Sequence, residues 1–194
     1  MPQQELLIAV VRALEDAGVP YMLTGSLVSS LYGEPRATHD FDIVVALGAD
    51  RLRALSESLS ALDGYADAEG MRRALRDGTM FNYIDHGTGL KVDFWMLRGD
   101  PYEEACFARR RTEILFGASV RVASPEDIIL SKLRWARRSG GSEKQFVDAL
   151  RVFEVQRAAL DLAYVERWAG ALGIEADWAR LQREARPLPG GRPR

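Results

Sequence analysis

The stretch Arg36-Ala37-Thr38-His39-Asp40-Phe41-Asp42-Ile43-Val44-Val45-Ala46-Leu47 decides how this chain is read. From Asp40 to Leu47 it is rich in branched apolar residues, which predicts a strand. Side chains alternate across a sheet, so Asp40 and Asp42 share one face while Phe41 and Ile43 turn toward a core. Two like charges so close repel each other and gain nothing for stability. A divalent cation removes that objection by supplying the compensating charge, and hard carboxylate oxygens suit magnesium or manganese. A solvated strand edge or a turn is the plain alternative for an Asp-x-Asp standing alone.

Working outward, Lys91-Val92-Asp93-Phe94-Trp95 carries a third acid inside an apolar run, where an uncompensated carboxylate is costly. A strand over 90–97 lying beside 40–47 would bring Asp93 to the other two. Upstream, Pro20 to Thr24 reads as a short buried strand, and Thr24-Gly25-Ser26 sits where that strand gives way to a helix ending near Tyr32. Glycine permits close backbone approach, and free amides at a helix N-terminus favour phosphate oxygens. Ser26 is placed to donate its hydroxyl to a phosphate, or is an ordinary helix cap. Arg36 either neutralises phosphate charge or pairs at the surface, and Thr38 stands between it and the acids.

The remaining pattern gives an α+β chain. Apolar spacing predicts a helix over 3–17 stopped by Gly18, and a helix capped by Asp50 that runs to about Leu62 with Leu55 and Leu59 inside. A short helix near 68–76 precedes strands over 79–85 and 90–97, which pair as a hairpin around His86-Gly87-Thr88-Gly89. A helix near 101–108 and an extended segment over 111–123 follow. Ser124-Pro125-Glu126-Asp127 is a strong helix start, and Ser142 repeats the capping pattern after Gly140-Gly141. From 125 to about 185 only helices are expected, and 187–194, with its prolines and glycines, reads as a disordered tail. The expected architecture is a mixed sheet of about four or five strands with flanking helices over 1–123. A C-terminal helical region over 124–186 is expected to pack on that core and close a cleft.

At 194 residues, 47% hydrophobic and 28% charged, the chain has the composition of a soluble globular protein. It shows neither a secretion signal nor a membrane-length apolar run, so a cytoplasmic protein without a membrane partner is expected. The single Cys106 excludes an internal disulfide and a cysteine-built zinc site, and reads as a core residue. A formal net charge of −2 excludes a general polycation. Three basic clusters (Arg72, Arg73 and Arg76; Arg109 to Arg111; Lys132, Arg134, Arg137 and Arg138) are either phosphate-attracting patches or solvated helix faces. No P-loop motif occurs. Of the two histidines, alternation points His39 away from the acids. Trp95, Trp135, Trp168 and Trp178 fit core or inter-helix packing, with base stacking by one of them as the alternative, and Lys144 with Asp148 fits an i,i+4 pair.

Gly25-Ser26, then Arg36-x-Thr38-x-Asp40-x-Asp42, then Asp93 within a hydrophobic strand together resemble the nucleotidyltransferase superfamily related to DNA polymerase beta. The resemblance spans roughly residues 20–97 and is similar to bacterial single-domain members, including the toxin nucleotidyltransferases of abortive-infection systems. The segment Ser124 to Leu133 resembles the helix that follows the catalytic core in those proteins. The resemblance implies that Asp40, Asp42 and Asp93 are catalytic and bind magnesium or manganese, with Asp93 also taking the acceptor proton. It implies that Gly25 and Ser26 hold the β- and γ-phosphates of a nucleoside triphosphate, with Arg36, Thr38 and Lys132 as further nucleotide contacts; a surface lysine is the alternative for Lys132. The implied reaction moves a nucleoside monophosphate to a hydroxyl of a tRNA end, a protein or a small molecule such as an aminoglycoside. The arginine clusters favour RNA. A toxin role with an antitoxin protein as partner also follows from the resemblance. The alternative from another class is a nucleotide-sensing or partner-binding module that keeps the fold without turnover; retention of all three acids argues against it.

Overall fold

The computed structural model describes residues 3–186, so the expected tail at 187–194 lies outside the described residues. The chain divides into two compact units, Met1–Thr24 with Thr38–Val122, and Gly25–Ala37 with Ala123–Arg194. Each is described by itself.

The first unit holds α1 (Gln3–Asp16), β1 (Tyr21–Thr24), β2 (Asp40–Val45), α3 (Ala49–Ser60), β3 (Gly64–Ala66), α4 (Ala68–Asp77), β4 (Met80–Asp85), β5 (Lys91–Met96), α5 (Pro101–Ala108), β6 (Arg111–Leu115) and β7 (Ala118–Val122). Its sheet runs β3-β4-β5-β2-β1-β7-β6. The strand β2 pairs antiparallel to β1 and parallel to β5, and β1 pairs parallel to β7, so the sheet is mixed. One face is apolar. Phe41, Ile43 and Val45 of β2, Val92, Phe94 and Met96 of β5, and Phe81 and Tyr83 of β4 are all buried there, and Phe81 stacks on Phe94 with ring centroids 4.6 Å apart. The inner stripes of α1 (Leu6, Leu7, Val10, Leu14), α3 (Leu55, Leu59) and α4 (Met71, Ala74) are buried as well, as amphipathic helices covering a sheet require. Cys106 is buried with its Sγ 3.9 Å from the Met22 Sδ, in the core role expected of it.

The sheet has seven strands rather than about four or five. Two features account for the difference. The three-residue β3 is too short to show a period, and its Gly64 is required because a Cβ there would stand 2.1 Å from the Tyr83 hydroxyl oxygen. The extended segment 111–123 is in fact a hairpin, β6 and β7, whose register closes at Leu115 opposite Ala118. The helix α3 is capped by the Gly48 backbone rather than by Asp50, which lies in the first turn.

The second unit holds α2 (Gly25–Tyr32), α6 (Pro125–Arg138), α7 (Glu143–Gln156), a 3-10 turn at Arg157–Ala159, α8 (Leu162–Leu172) and α9 (Glu175–Glu184). Ser124 caps α6 by accepting from the Asp127 amide at 3.2 Å. The buried Asp127 carboxylate then accepts from the Tyr164 hydroxyl of α8 at 2.7 Å, fixing α8 to the start of α6. Ser142 stands at the N-cap of α7, as expected, but makes no side-chain cap bond. Phe153 of α7 meets Trp178 of α9 edge to face, with centroids 5.2 Å apart. Trp135 is half exposed on α6 and is not a packing residue.

The β6–β7 turn carries a cost. Phe116 has φ +50 and precedes Gly117 at φ +80 in a two-residue loop. Such a hairpin turn favours asparagine followed by glycine, since a bulky L-residue in the left-handed region costs about 1–2 kcal/mol. Phe116→Asn is expected to raise unfolding stability by about 0.5–1 kcal/mol, measured by urea titration at constant m-value.

Candidate functional site

In the first unit, the register of β2 against β5 sets the chemistry. Asp42 stands opposite Asp93, and Asp40 opposite Lys91. Residues paired across neighbouring strands share a face, so Asp40, Asp42, Lys91, Asp93 and Trp95 all project opposite to the apolar core. Asn82 of β4 stands opposite Asp93, and Thr24 of β1 opposite Asp42, on that same face. Asp40 is exposed, Asp42 half-buried and Asp93 buried. The polar face is internally bonded. The Lys91 Nζ lies 3.0 Å from the Asp93 Oδ2, the Asn82 amide donates to the Asp93 Oδ1 at 3.4 Å, and the Trp95 indole N–H donates to the Asp42 Oδ1 at 3.2 Å. The Asp93 hydrogen bond holds the Lys91 pKa above its ordinary value against partial burial, with the charges of Asp93, Asp40 and Asp42 adding to it. Thr38 donates its hydroxyl to the Asp40 carbonyl at 3.2 Å, and its own carbonyl accepts from the Gln3 side chain.

Three carboxylates on two adjacent parallel strands are the right donor type for a hard divalent cation. Among the described residues, no three acidic, histidine or cysteine side chains are gathered around one point that would hold an ion. The three acids share donor chemistry and one face, with Asp93 turned to Lys91 and Asp42 to Trp95.

In the second unit, Gly25 begins α2 with φ +69, a backbone angle that glycine supplies without strain. The Ser26 Oγ accepts from the Arg36 Nη2 at 2.9 Å and from the Lys132 Nζ at 3.4 Å. Both cations meet one carboxylate, that of Asp148 on α7. Arg36 reaches it through Nε at 3.1 Å and Nη2 at 3.0 Å, a two-pronged contact, and Lys132 through Nζ at 2.8 Å. Burial alone would raise the Asp148 pKa; the hydrogen bonds from Arg36 and Lys132, reinforced by their charges, hold it below the usual carboxylate value. Lys132 is buried in this cluster, so it is not a surface helix lysine.

Asp148 is the residue that sequence reading missed. Its spacing from Lys144 suggested a pair along α7, whereas its partners come from α6 and from the loop after α2. A buried acid on an otherwise apolar helical stripe, beside Phe146, Ala149 and Val152, was the available signal. The basic clusters also change meaning. Arg72, Arg73 and Arg76 pair on the exposed face of α4 with Glu69, Asp67 and Asp77 at 3.1, 3.0 and 3.1 Å. His39 is exposed at the strand edge, and the His86 Nδ1 stands 3.4 Å from Asp63, away from the acids. Among the described residues, no helix is long and apolar enough to cross a membrane.

No protein-family model and no curated protein matches the chain. Solved structures do. The chain is similar to the antibiotic-resistance factor ANT(2'')-Ia in solution, at 16% identity and TM-score 0.59 over 93% of this chain and 95% of that one. It is similar to an antigenic nucleotidyltransferase-like protein from Paracoccidioides brasiliensis, at 17% identity and TM-score 0.58 over 98% and 97% of the two chains. ANT(2'')-Ia in complex with adenylyl-2''-tobramycin matches at 16% identity and TM-score 0.54, over 94% of this chain and 98% of that one. At such identities the likeness is one of fold: the chain has a nucleotidyltransferase-like mixed α+β fold.

The Asp148 cluster sets a pH dependence. Because its folded pKa is depressed, its contribution is complete above the unfolded value, about 3.9, and is lost as pH falls through the folded value. Asp148→Asn is expected to lower stability at pH 7 by about 2 kcal/mol, since two cations lose a charged acceptor. The gap to the parent chain should narrow as pH drops below about 4, read by denaturant titration across pH.

Proposed function

We propose that this protein is a metal-dependent nucleotidyltransferase, which moves a nucleoside monophosphate from a nucleoside triphosphate to a hydroxyl acceptor. The observation that carries the reading is the register of β2 against β5, with Asp42 opposite Asp93 and Asp40 on the same face, on a fold that nucleotidyltransferases share.

In this reading Asp40, Asp42 and Asp93 hold magnesium or manganese, which when bound supplies positive charge against the phosphoryl oxygens. Asp93 accepts the proton of the acceptor hydroxyl as its oxygen bonds to the α-phosphorus; the bond from that phosphorus to the bridging oxygen breaks, and pyrophosphate leaves. Gly25 and Ser26 are the proposed contacts for the β- and γ-phosphates. Arg36 and Lys132 bring positive charge to the same phosphates, their orientation fixed by Asp148. Thr38 is the remaining proposed nucleotide contact, and its bond to the Asp40 carbonyl ties it to the start of β2.

An RNA end, a protein hydroxyl and a small hydroxylated molecule are the acceptor classes. The complex of ANT(2'')-Ia with adenylyl-2''-tobramycin makes the last the first to test. The finer cellular reading, a toxic activity neutralised by an antitoxin protein, rests on the motif resemblance. Growth arrest on expression, relieved by Asp42→Ala, supports it. One observation favours a second reading, a nucleotide-binding module without turnover: the Lys91 ammonium sits on Asp93.

Incubation with magnesium, each labelled nucleoside triphosphate and the three acceptor classes separates the two. Transfer that falls at least about a thousandfold in Asp42→Ala supports catalysis. Metal-dependent nucleotide binding with no labelled product in any arm replaces it with the binding module.

A further inference from the structure

Lys91 stands two residues before Asp93 on β5, so the two side chains share the acid face, and its position in the register is opposite Asp40. Its Nζ reaches the Asp93 Oδ2 at 3.0 Å. The ammonium is thus the cation paired with the most buried of the three acids. The second Asp93 oxygen is taken by the Asn82 amide at 3.4 Å. Each Asp93 oxygen keeps a further lone pair, so an incoming ion meets a carboxylate whose charge is already offset by the Lys91 ammonium. The Lys91 side chain is 38% exposed, against 11% for Asp93, so the lysine is the partner with room to leave.

We infer that Lys91 is a built-in competitor for the metal: its ammonium and a divalent ion compete for the Asp93 carboxylate, and ion binding loosens the Lys91 contact. This rests on the metal-binding role proposed above for Asp40, Asp42 and Asp93, and makes Lys91 a positioning residue that sets how much free metal the site needs. A half-exposed ion pair is a modest competitor. If it is formed about nine-tenths of the time, the apparent metal affinity falls about tenfold relative to a chain without it. The freed ammonium stays tethered two residues from the ion, where it adds positive charge to the acid face.

Two measurements on the full chain test the inference, and neither uses activity. Manganese binding, followed by titration calorimetry or by the loss of the free-ion paramagnetic signal, is compared among the parent, Lys91→Met and Asp93→Asn. Lys91→Met is expected to bind manganese about tenfold more tightly, and Asp93→Asn more weakly than the parent. Separately, an amine-acylating reagent is applied with and without magnesium, and labelling of Lys91 is quantified by mass spectrometry against the exposed Lys144. Magnesium is expected to raise Lys91 labelling relative to Lys144, because the ammonium is released. Equal manganese affinity in parent and Lys91→Met, or Lys91 labelling unchanged by magnesium, overturns the inference and leaves the metal site standing. Absence of manganese binding in parent and Lys91→Met alike overturns the metal site itself, and the inference with it.

Discussion

The parallel pairing of β2 with β5 is the constraint on which the first unit depends. A strand has two faces and a period of two, so a slip of one residue would exchange them. In the observed register, Phe41, Ile43, Phe94 and Met96 are buried together while Asp42 meets Asp93 on the opposite side. The apolar residues drive that choice. Each fully buried Phe or Ile gains roughly 1.5–3 kcal/mol over an exposed one, far more than two neighbouring carboxylates of like charge can oppose across a half-solvated face. Packing on one side of the sheet therefore assembles repelling charges on the other, and the polar side must be compensated by whatever cation reaches it.

The two units meet the problem of a buried acid in different ways. Asp148 is surrounded by Arg36 and Lys132, and the Lys132 side chain is only 6% exposed. Removing Asp148 would leave two like charges facing each other without their shared acceptor, so that arrangement is fixed and orients its members. Asp93 has a single ammonium at comparable distance, on a side chain more than six times as exposed as that of Lys132. Water screens such a contact and competes with it, which makes it exchangeable. One cluster is built to stay as it is, the other to trade partners.

Much of this was readable in order along the chain, because it depends on local periodicity. The strand at 40–45, the hairpin joining 80–85 to 91–96, and the Ser124 cap each follow from spacing and residue type within a few positions. The shared face of Asp40 and Asp42 followed from alternation alone. What spacing does not carry is a partner's identity across long separations. Asp148 lies 112 residues from Arg36, and its four-residue distance from Lys144 offered a nearer and mistaken partner. The strand β3 escaped because three residues are shorter than the pattern needed to see them. Phe116-Gly117 escaped because phenylalanine is a poor occupant of the left-handed turn it makes there.

Lys91 was visible in the motif from the start, as part of Lys91-Val92-Asp93, yet its meaning depends on the sheet. On an isolated strand, a lysine two residues from an aspartate is a common solvated pair. Placed opposite Asp40, with Asp42 opposite Asp93, it becomes the one ammonium on a face that carries three carboxylates. The ammonium keeps the sheet from bearing the full repulsion, while the remaining negative charge keeps the face attractive to a second, stronger cation. In the proposed reading, the same three acids fold beside one another and bind a metal without standing uncompensated in either state.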